Sequence, residues 1–303
     1  MKLDHEQQRA VESTGSTAVV SGPGSGKTAT LVAKAKYESE LDGKKLIALT
    51  FTRNAAEELK QRAPLVESHT IHSFCYRTLG KFPGTYDSLL DEFLLLVRKP
   101  KFSLVLVDEA QDLNGKEMRV ILSICKGRVF FVGDNNQAIF GYADGEGQQI
   151  FKTSIKKFYL TKNYRSGQDI VNRLNRINPK GLVSVYTNGN PKITGTAILF
   201  RTNLQLDAVA FALKEMDYSF TIKKRGVEFP GEVIGNGDNN LVLCTGHCSK
   251  GKEWKNVIAF DWGEKNLEKN LYYVMISRAS KNFHLVNSIS ECTELLEEYV
   301  DGN

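Results

Sequence analysis

A glycine-rich segment near the start of the chain is the first place where residue types and spacing indicate chemistry. It reads Gly22-Pro23-Gly24-Ser25-Gly26-Lys27-Thr28, and its glycines allow successive backbone N–H groups to point at phosphate oxygens. Lys27 would add positive charge for the β- and γ-phosphates, and the Thr28 hydroxyl would bind Mg²⁺. The segment predicts a nucleotide site formed by Gly22, Gly24, Ser25, Gly26, Lys27, Thr28 and Thr30, although the strict pattern has glycine in place of Ser21.

Two apolar runs later in the chain end in polar residues that suit phosphate chemistry. Asp108 follows the first run, where a carboxylate would bind Mg²⁺ together with Thr28, and the adjacent Glu109 would orient or deprotonate the attacking water. Gln137 follows the second run, and its uncharged amide could hydrogen-bond both water and phosphate. These residues predict a nucleotide with Mg²⁺ as the ligands and hydrolysis at a phosphate as the reaction; the resemblance described below implies that the nucleotide is ATP.

Short apolar runs rich in β-branched residues alternate with helical patterns, which favours an α/β fold with mostly parallel sheets. The predicted strands are Thr17–Ser21, Leu46–Thr50, Leu104–Val107, Val129–Val132, Phe158–Thr161, Ala197–Arg201, Leu241–Thr245, Val257–Asp261 and Phe283–Val286. The predicted helices include Thr28–Glu40, Arg53–Arg62, Tyr86–Arg98, Lys116–Cys125, Gln168–Ile177, Gln205–Glu215 and Leu267–Ser280. The pattern occurs in two halves, residues 1–154 and 155–303, and the Gly/Asn-rich stretches Asn188–Gly195 and Gly231–Asn240 are predicted surface loops.

The composition is that of a soluble globular protein, with 41% hydrophobic and 25% charged residues among 303. The net charge of +5 is compatible with a polyanionic partner but does not demand one. The polar start and the lack of a long apolar run predict a cytoplasmic protein with no membrane segment. Zinc is not expected, since Cys244, His247 and Cys248 have no second ligand cluster, and the odd number of cysteines argues against a disulfide framework.

A series of segments resembles, in order, the motifs of the UvrD/Rep-type DNA helicases of superfamily 1. They are Leu3–Val11, Thr50–Ala56, Thr70–Phe74, Asp108–Asp112, Gly133–Phe140, Asn163–Ser166, Phe200–Asn203, Thr245–Glu253 and Tyr273–Ala279. The resemblance implies two RecA-like domains of the P-loop NTPase fold, with ATP hydrolysed at their interface. It also implies 3′-to-5′ movement on single-stranded DNA.

The resemblance further implies roles for single residues. Gln7 would read the adenine and Tyr164 would stack on it, while Glu253 would contact the nucleotide or support its site. Arg165 and Arg278 would reach the γ-phosphate as arginine fingers. The residues that would face the strand of nucleic acid are Phe51, Thr52, His72, Tyr142, Asn203 and His247.

The chain departs from the family pattern in one residue of consequence and in size. Ala143 stands where an arginine is usual, which concerns how the nucleotide state is relayed to the nucleic acid. The family usually carries an insertion in each domain, whereas only residues 80–101 and 226–240 fill those places here. The chain therefore resembles a minimal motor without accessory domains. Its expected partners are single-stranded DNA, junctions of single and double strands, and a loading or processivity protein.

Other functions stay open at this stage. A translocase or nucleoprotein remodeller that separates no strands would use the same residues, and RNA could replace DNA because backbone and stacking contacts distinguish them poorly. A nuclease could be built on Asp238 with Glu253-Trp254-Lys255, but Glu253 lies inside a helicase segment. A non-catalytic ATP-binding subunit is disfavoured, because a protein that hydrolyses no ATP would not need Glu109 to activate water.

Overall fold

A computed structural model describes residues 3–40, 45–139, 150, 153–224, 232–234, 241–261 and 269–299. The chain divides into two compact units, Met1–Thr161 and Lys162–Asn303, and each is described here by itself. Across the described ranges, no helix has both the length and the apolar character needed to cross a membrane.

The first unit is a parallel sheet of six strands in the order β3-β2-β4-β5-β1-β6. The strands are β1 Thr17–Ser21, β2 Leu46–Thr50, β3 Glu67–Thr70, β4 Phe102–Val107, β5 Cys125–Gly133 and β6 Lys156–Leu160. The helices are α1 His5–Val11, α2 Lys27–Ser39, α3 Arg53–Arg62, α4 Ile71–Leu79, α5 Tyr86–Leu95 and α6 Gly115–Ile124. In β4, Val105 and Val107 join one core cluster while Leu104 and Leu106 join another, because successive side chains point to opposite faces of a sheet.

The second unit contains another six-stranded sheet, in the order β11-β10-β12-β9-β13-β14, and a two-stranded pair, β7-β8. The strands are β7 Lys162–Asn163, β8 Val183–Ser184, β9 Thr196–Phe200, β10 Phe220–Lys223, β11 Glu232–Ile234, β12 Leu241–Thr245, β13 Trp254–Phe260 and β14 Ala279–Val286. The helices are α7 Gln168–Ile177, α8 Asn203–Glu215, α9 Lys269–Ser277 and α10 Ile289–Tyr299. Within this six-stranded sheet, neighbouring strands are parallel, except that β10 and β11 are antiparallel.

The predicted fold class is confirmed, since both units are mostly parallel sheets with helices. One predicted loop is partly wrong: residues 232–234, inside the stretch Gly231–Asn240, form β11 and pair with β10. Strand β3 was not predicted, because its residues Glu-Ser-His-Thr contain no apolar run.

The boundary between the units lies after Thr161 rather than after residue 154. The reason is that β6, which the sequence analysis assigned to the second half, pairs along its whole length with β1 of the first sheet. Just after β6, the backbone N–H and the hydroxyl of Thr161 both donate hydrogen bonds of 2.7 Å to the Glu6 carboxylate in α1. These bonds hold the end of the first unit against α1. The first unit therefore includes the strand that the prediction placed in the second.

Threonine caps close three turns from a strand into a helix. The hydroxyl of Thr52 accepts a hydrogen bond from the Ala55 N–H at 3.2 Å, and Thr70 and Thr202 cap α4 and α8 in the same way. Because parallel strands end at the same edge of a sheet, these caps fix the residues that follow each strand on that edge.

A buried ionic cluster ties α2 to β5 and to the end of α1. Glu38 and Lys34 are each 1% exposed and form an ion pair of 2.8 Å. Arg128 binds the Glu38 carboxylate with both terminal nitrogens, at 2.9 and 2.8 Å, and Lys34 also donates to the Val11 carbonyl at 2.8 Å. The cluster is satisfied as a whole, so removing one member leaves a buried charge without its partner.

We expect Glu38→Ala to lower the free energy of unfolding by about 3–5 kcal/mol, the usual cost of breaking a buried ion pair. Glu58→Ala is the matched control, because Glu58 pairs with Arg62 in an exposed pair that contributes ~1 kcal/mol or less. Chemical denaturation of both variants measures the difference. Equal losses would show that the buried cluster contributes no more than a surface pair.

Candidate nucleotide and nucleic-acid sites

The glycine-rich segment forms a loop between β1 and the start of α2. Gly24 and Gly26 take positive φ angles of 66° and 79°, which are accessible to glycine at little cost. The buried Ser25 hydroxyl donates to the Gly22 carbonyl at 2.8 Å, and the Thr30 hydroxyl donates to the Gly26 carbonyl at 3.0 Å. The loop is thus held by its own side chains at the N-terminus of α2, where backbone N–H groups favour an anion.

Gln7 is built into this loop from the neighbouring helix α1. Its backbone N–H and side-chain oxygen form a capping box with Asp4, and its side-chain nitrogen donates to the Ser25 carbonyl at 3.1 Å. A Cβ at Gly26 would come within 2.5 Å of that nitrogen. The residue predicted to read adenine therefore contacts the phosphate loop. The positive φ at position 26 favours glycine, and a side chain there would also displace the Gln7 amide.

Thr28 and Asp108, the two predicted metal ligands, lie together. The Thr28 hydroxyl donates to Asp108 Oδ2 at 3.4 Å, and Asp108 is 4% exposed at the end of β4. Burial and the adjacent Glu109 raise the pKa of the Asp108 carboxyl to about 7, while Lys27 opposes the shift. A hydroxyl and a buried carboxylate with too little compensating charge are oxygen ligands that fit Mg²⁺.

Glu109 and Gln137 are joined through residues that the sequence analysis did not single out. Gln111 donates to Glu109 Oε2 at 2.7 Å and accepts from the Asp134 N–H at 2.9 Å. Asp134 in turn accepts from the Gln137 side chain at 3.0 Å. Glu109 takes a left-handed φ of 49°, uncommon for a residue other than glycine. The network fixes the orientation of both predicted catalytic side chains.

The strand order separates two groups of predicted residues along the carboxyl edge of the first sheet. The phosphate loop, Asp108 and Gln137 follow β1, β4 and β5, whereas Phe51 and His72 follow β2 and β3. Strands lie ~4.8 Å apart, so β3 and β1 are separated by roughly 19 Å. The residues predicted for phosphate chemistry and those predicted to contact nucleic acid therefore lie side by side on one edge, and they adjoin at the neighbouring strands β4 and β2.

The residues of the first unit that are predicted to contact nucleic acid differ in how exposed they are. Phe51 is half-buried, whereas Thr52 and His72 are exposed. The Thr52 hydroxyl accepts a helix-capping hydrogen bond but keeps its own proton to donate. Tyr142 and Ala143 lie outside the described residues.

In the second unit, Arg165 and Arg278 meet at Ser277. Arg165 donates to the Ser277 carbonyl at 3.1 Å and pairs with the Glu253 carboxylate. Arg278 donates to the Ser277 hydroxyl at 2.7 Å and to the Lys252 carbonyl at 3.1 Å, and it is only 2% exposed. Both arginines and Glu253 were predicted to act at the nucleotide site, whereas Ser277, although it lies in the segment Tyr273–Ala279, had no predicted role.

A short turn holds Tyr164 and Arg165 in place. The buried Asn163 side chain accepts from the backbone N–H groups of Arg165 and Ser166, at 2.8 and 2.7 Å. The Tyr164 carbonyl accepts from Asn190, and the Tyr164 side chain is half-buried. The side-chain oxygen of Asn163 therefore fixes the backbone turn that carries Tyr164 and Arg165.

Asn203 and His247 lie at the opposite edge of the second sheet from the arginines. Asn203 is exposed at the start of α8, just after β9, and His247 follows Thr245, which pairs with Phe200 at the carboxyl ends of β12 and β9. Glu253 and Arg278 instead precede the amino ends of β13 and β14. Residues 246–253 therefore run from one edge of the sheet to the other.

Comparison with known proteins finds similarity to an ATPase domain and to DNA helicases. The sequence profile of an AAA domain matches residues 7–143. A probable DNA helicase of Mycoplasma pneumoniae is 27% identical over 230 residues, which cover 60% of this chain and 43% of that protein. The ATP-dependent DNA helicase PcrA of Staphylococcus aureus is 22% identical over an alignment of 307 residues, covering 62% of this chain and 42% of PcrA. This chain spans about half the length of the curated relatives that it matches.

Among solved structures, the Pif1 helicase from Candida albicans superposes with a TM-score of 0.57 at 14% identity, covering 98% of this chain and 99% of that chain. A phosphate loop between a parallel strand and a helix, with a carboxylate at the end of a nearby strand, defines the P-loop NTPase class. Within this class, the chain is similar in sequence to DNA helicases, among them PcrA, over part of their length. Between α4 and β4, where the family usually carries an insertion, the structure has the single helix α5.

Proposed function

We propose that this protein is an ATP-dependent motor that moves 3′ to 5′ on single-stranded DNA and hydrolyses ATP with residues from both units. The observation that carries the proposal is the convergence of Thr28 and Asp108 on the sheet edge that also bears Phe51 and His72. The direction rests on the likeness to the UvrD/Rep-type helicases.

In this proposal the residues of the first unit hold and activate the nucleotide. The loop N–H groups and Lys27 bind the phosphates, Gln7 reads the adenine, and Thr28 with Asp108 would bind Mg²⁺. When bound, that ion would neutralise phosphate charge. Glu109, oriented by Gln111, accepts a proton from the attacking water. Gln137 reports whether the γ-phosphate is present.

The second unit supplies charge for the transition state in this proposal. Arg165 and Arg278 both hydrogen-bond to Ser277, and in this proposal their positive charges stabilise the charge that develops on the γ-phosphate. Tyr164 stacks on the adenine, and Glu253 positions Arg165 through their ion pair. The strand of DNA is contacted by Phe51, Thr52, His72 and Tyr142 in the first unit and by Asn203 and His247 in the second.

The test is ATP hydrolysis with and without single-stranded DNA, followed by displacement of a labelled strand from duplexes with a 3′ or a 5′ tail. We expect stimulation by DNA and displacement only from the 3′ tail. Lys27→Ala is the control for contaminating ATPase activity. Hydrolysis unaffected by any nucleic acid would exclude a motor, and displacement only from the 5′ tail would reverse the direction.

Two alternatives are separated by the same assays. A translocase or remodeller would hydrolyse ATP on single strands but displace no strand. For a nuclease, Asp238 lies outside the described residues and the Glu253 carboxylate is paired with Arg165. Cleavage of DNA with Mg²⁺ and without ATP would revive the nuclease.

Duplex separation by this chain is expected to slow steeply as G·C content rises. Residues 80–101 and 226–240 are too short to hold the duplex ahead of the motor, so the protein would advance by capturing bases that open spontaneously. Opening costs about 1.4 kcal/mol per base-pair step, roughly a tenfold change in the open population. Single-turnover unwinding of 3′-tailed duplexes of equal length measures the effect. Equal rates across the series would indicate active melting instead.

A further inference from the structure

An exposed aromatic cluster lies beside His72, in the segment that replaces the usual insertion of the first unit. The His72 ring contacts the ring of Phe82 at 5.7 Å between centroids and that of Tyr86 at 5.6 Å. Phe82 is 47% exposed, and His72 is exposed too. We call Phe82, His72 and Tyr86 the aromatic cluster.

A buried carboxylate holds one member of the aromatic cluster, Tyr86, in place. The Tyr86 hydroxyl donates to Glu117 Oε1 at 2.6 Å, and Glu117 is 3% exposed. The other oxygen of Glu117 accepts from the Asn114 N–H at 2.9 Å, within the capping box that starts α6. Tyr86 is therefore fixed at both ends, and it limits the positions that the His72 ring can take.

The position of the cluster favours a nucleic-acid base as its occupant. His72 follows β3, and Thr70 at the end of β3 pairs with Thr50, just before Phe51 and Thr52. The aromatic cluster thus continues the edge that carries the proposed strand contacts of the first unit. The half-exposed ring of Phe82 offers an area suited to one base, and base–aromatic stacking accepts any sequence, as a motor requires.

We propose that Phe82 is a base-stacking residue for single-stranded DNA, with His72 beside it and Tyr86 as a positioning residue. This proposal rests on the proposed function, since it names a further contact of the same strand. It assigns a binding role to the short segment 80–85, which lies between α4 and α5.

The experiment measures the affinity of the full chain for a fluorescent oligonucleotide and for an abasic strand of equal length. Phe82→Ala and Phe82→Leu are expected to weaken binding of the normal strand by about 5- to 150-fold, the range for one stacked base. Phe82→Tyr keeps an aromatic ring and should bind like the wild type. On the abasic strand, Phe82→Ala should bind like the wild type, because the phosphates are unchanged.

Tyr37→Ala is the matched control, since Tyr37 is 43% exposed and lies near the C-terminal end of α2, roughly 15 Å from the carboxyl edge at 1.5 Å per residue. It should leave affinity unaltered. Wild-type affinity in Phe82→Ala, or an equal loss on the abasic strand, would overturn the stacking proposal alone. A wild-type protein that binds no strand would overturn the proposed function together with it.

Discussion

Arg278→Ala is expected to lower the rate of ATP hydrolysis by about 10³-fold or more, while the affinity for ATP changes little. The physical reason is that a finger arginine meets charge that develops in the transition state, and such fingers contribute ~10³–10⁵ in rate. The measurement is kcat in the presence of saturating single-stranded DNA, together with binding of a fluorescent ATP analogue.

Because Arg278 is buried, a purely structural role is the competing explanation for a loss of activity. Two further variants distinguish the structural role from the catalytic one. Arg278→Lys keeps the charge but cannot supply the fork that reaches Lys252 and Ser277 together. Arg165→Lys tests the second finger, which is 18% exposed in its side chain. If Arg278→Ala lowers Tm but leaves kcat per folded molecule unaltered, the finger assignment is refuted.

Glu109→Gln is expected to reduce the rate of ATP hydrolysis by about 10²–10⁴-fold, the usual contribution of a general base. The amide has the size of the carboxylate but cannot accept a proton from water, so ATP binding should persist. Pre-steady-state hydrolysis measures the chemical step directly.

The control for the loss of one negative charge is Glu57→Gln, on the exposed surface of α3. It should hydrolyse ATP like the wild type. A Glu109→Gln variant with full turnover would mean that another group activates the water, and Asp134, two hydrogen bonds away through Gln111, would be the next residue to test.

The sequence predicted the central strands well, and the reason is physical. β1, β2 and β12 are apolar runs buried against helices, so their bounds coincide with the change to polar or glycine residues. The edge strand β3 is polar, and β11 lies in a Gly/Asn-rich stretch, so neither carries that signal. The pairing of β6 with β1 joins residues far apart in the chain, which no local pattern records.

The candidate sites also contain residues that the sequence pattern could predict and residues that it could not. Motifs marked Lys27, Thr28, Asp108 and Glu109 because phosphate chemistry restricts the residue types at fixed spacing. They could not mark Gln111, Ser277 or Glu117, whose importance comes from hydrogen bonds made across the fold. A buried polar residue to which the motif pattern gives no role gains one only once its hydrogen-bond partners are known.

The segment 246–253 has a thermodynamic consequence. It is a compact turn in which the buried Ser249 bonds to Thr245 and Gly246, and the Lys252 N–H bonds to the Ser249 carbonyl. One end carries His247 and the other carries Lys252, whose carbonyl accepts from Arg278. If DNA binding at His247 shifts this turn and so changes the affinity for ATP, linkage requires ATP to change the affinity for DNA by the same factor. A cycle of tight and weak grip on the strand would then follow from the reciprocity of two equilibria.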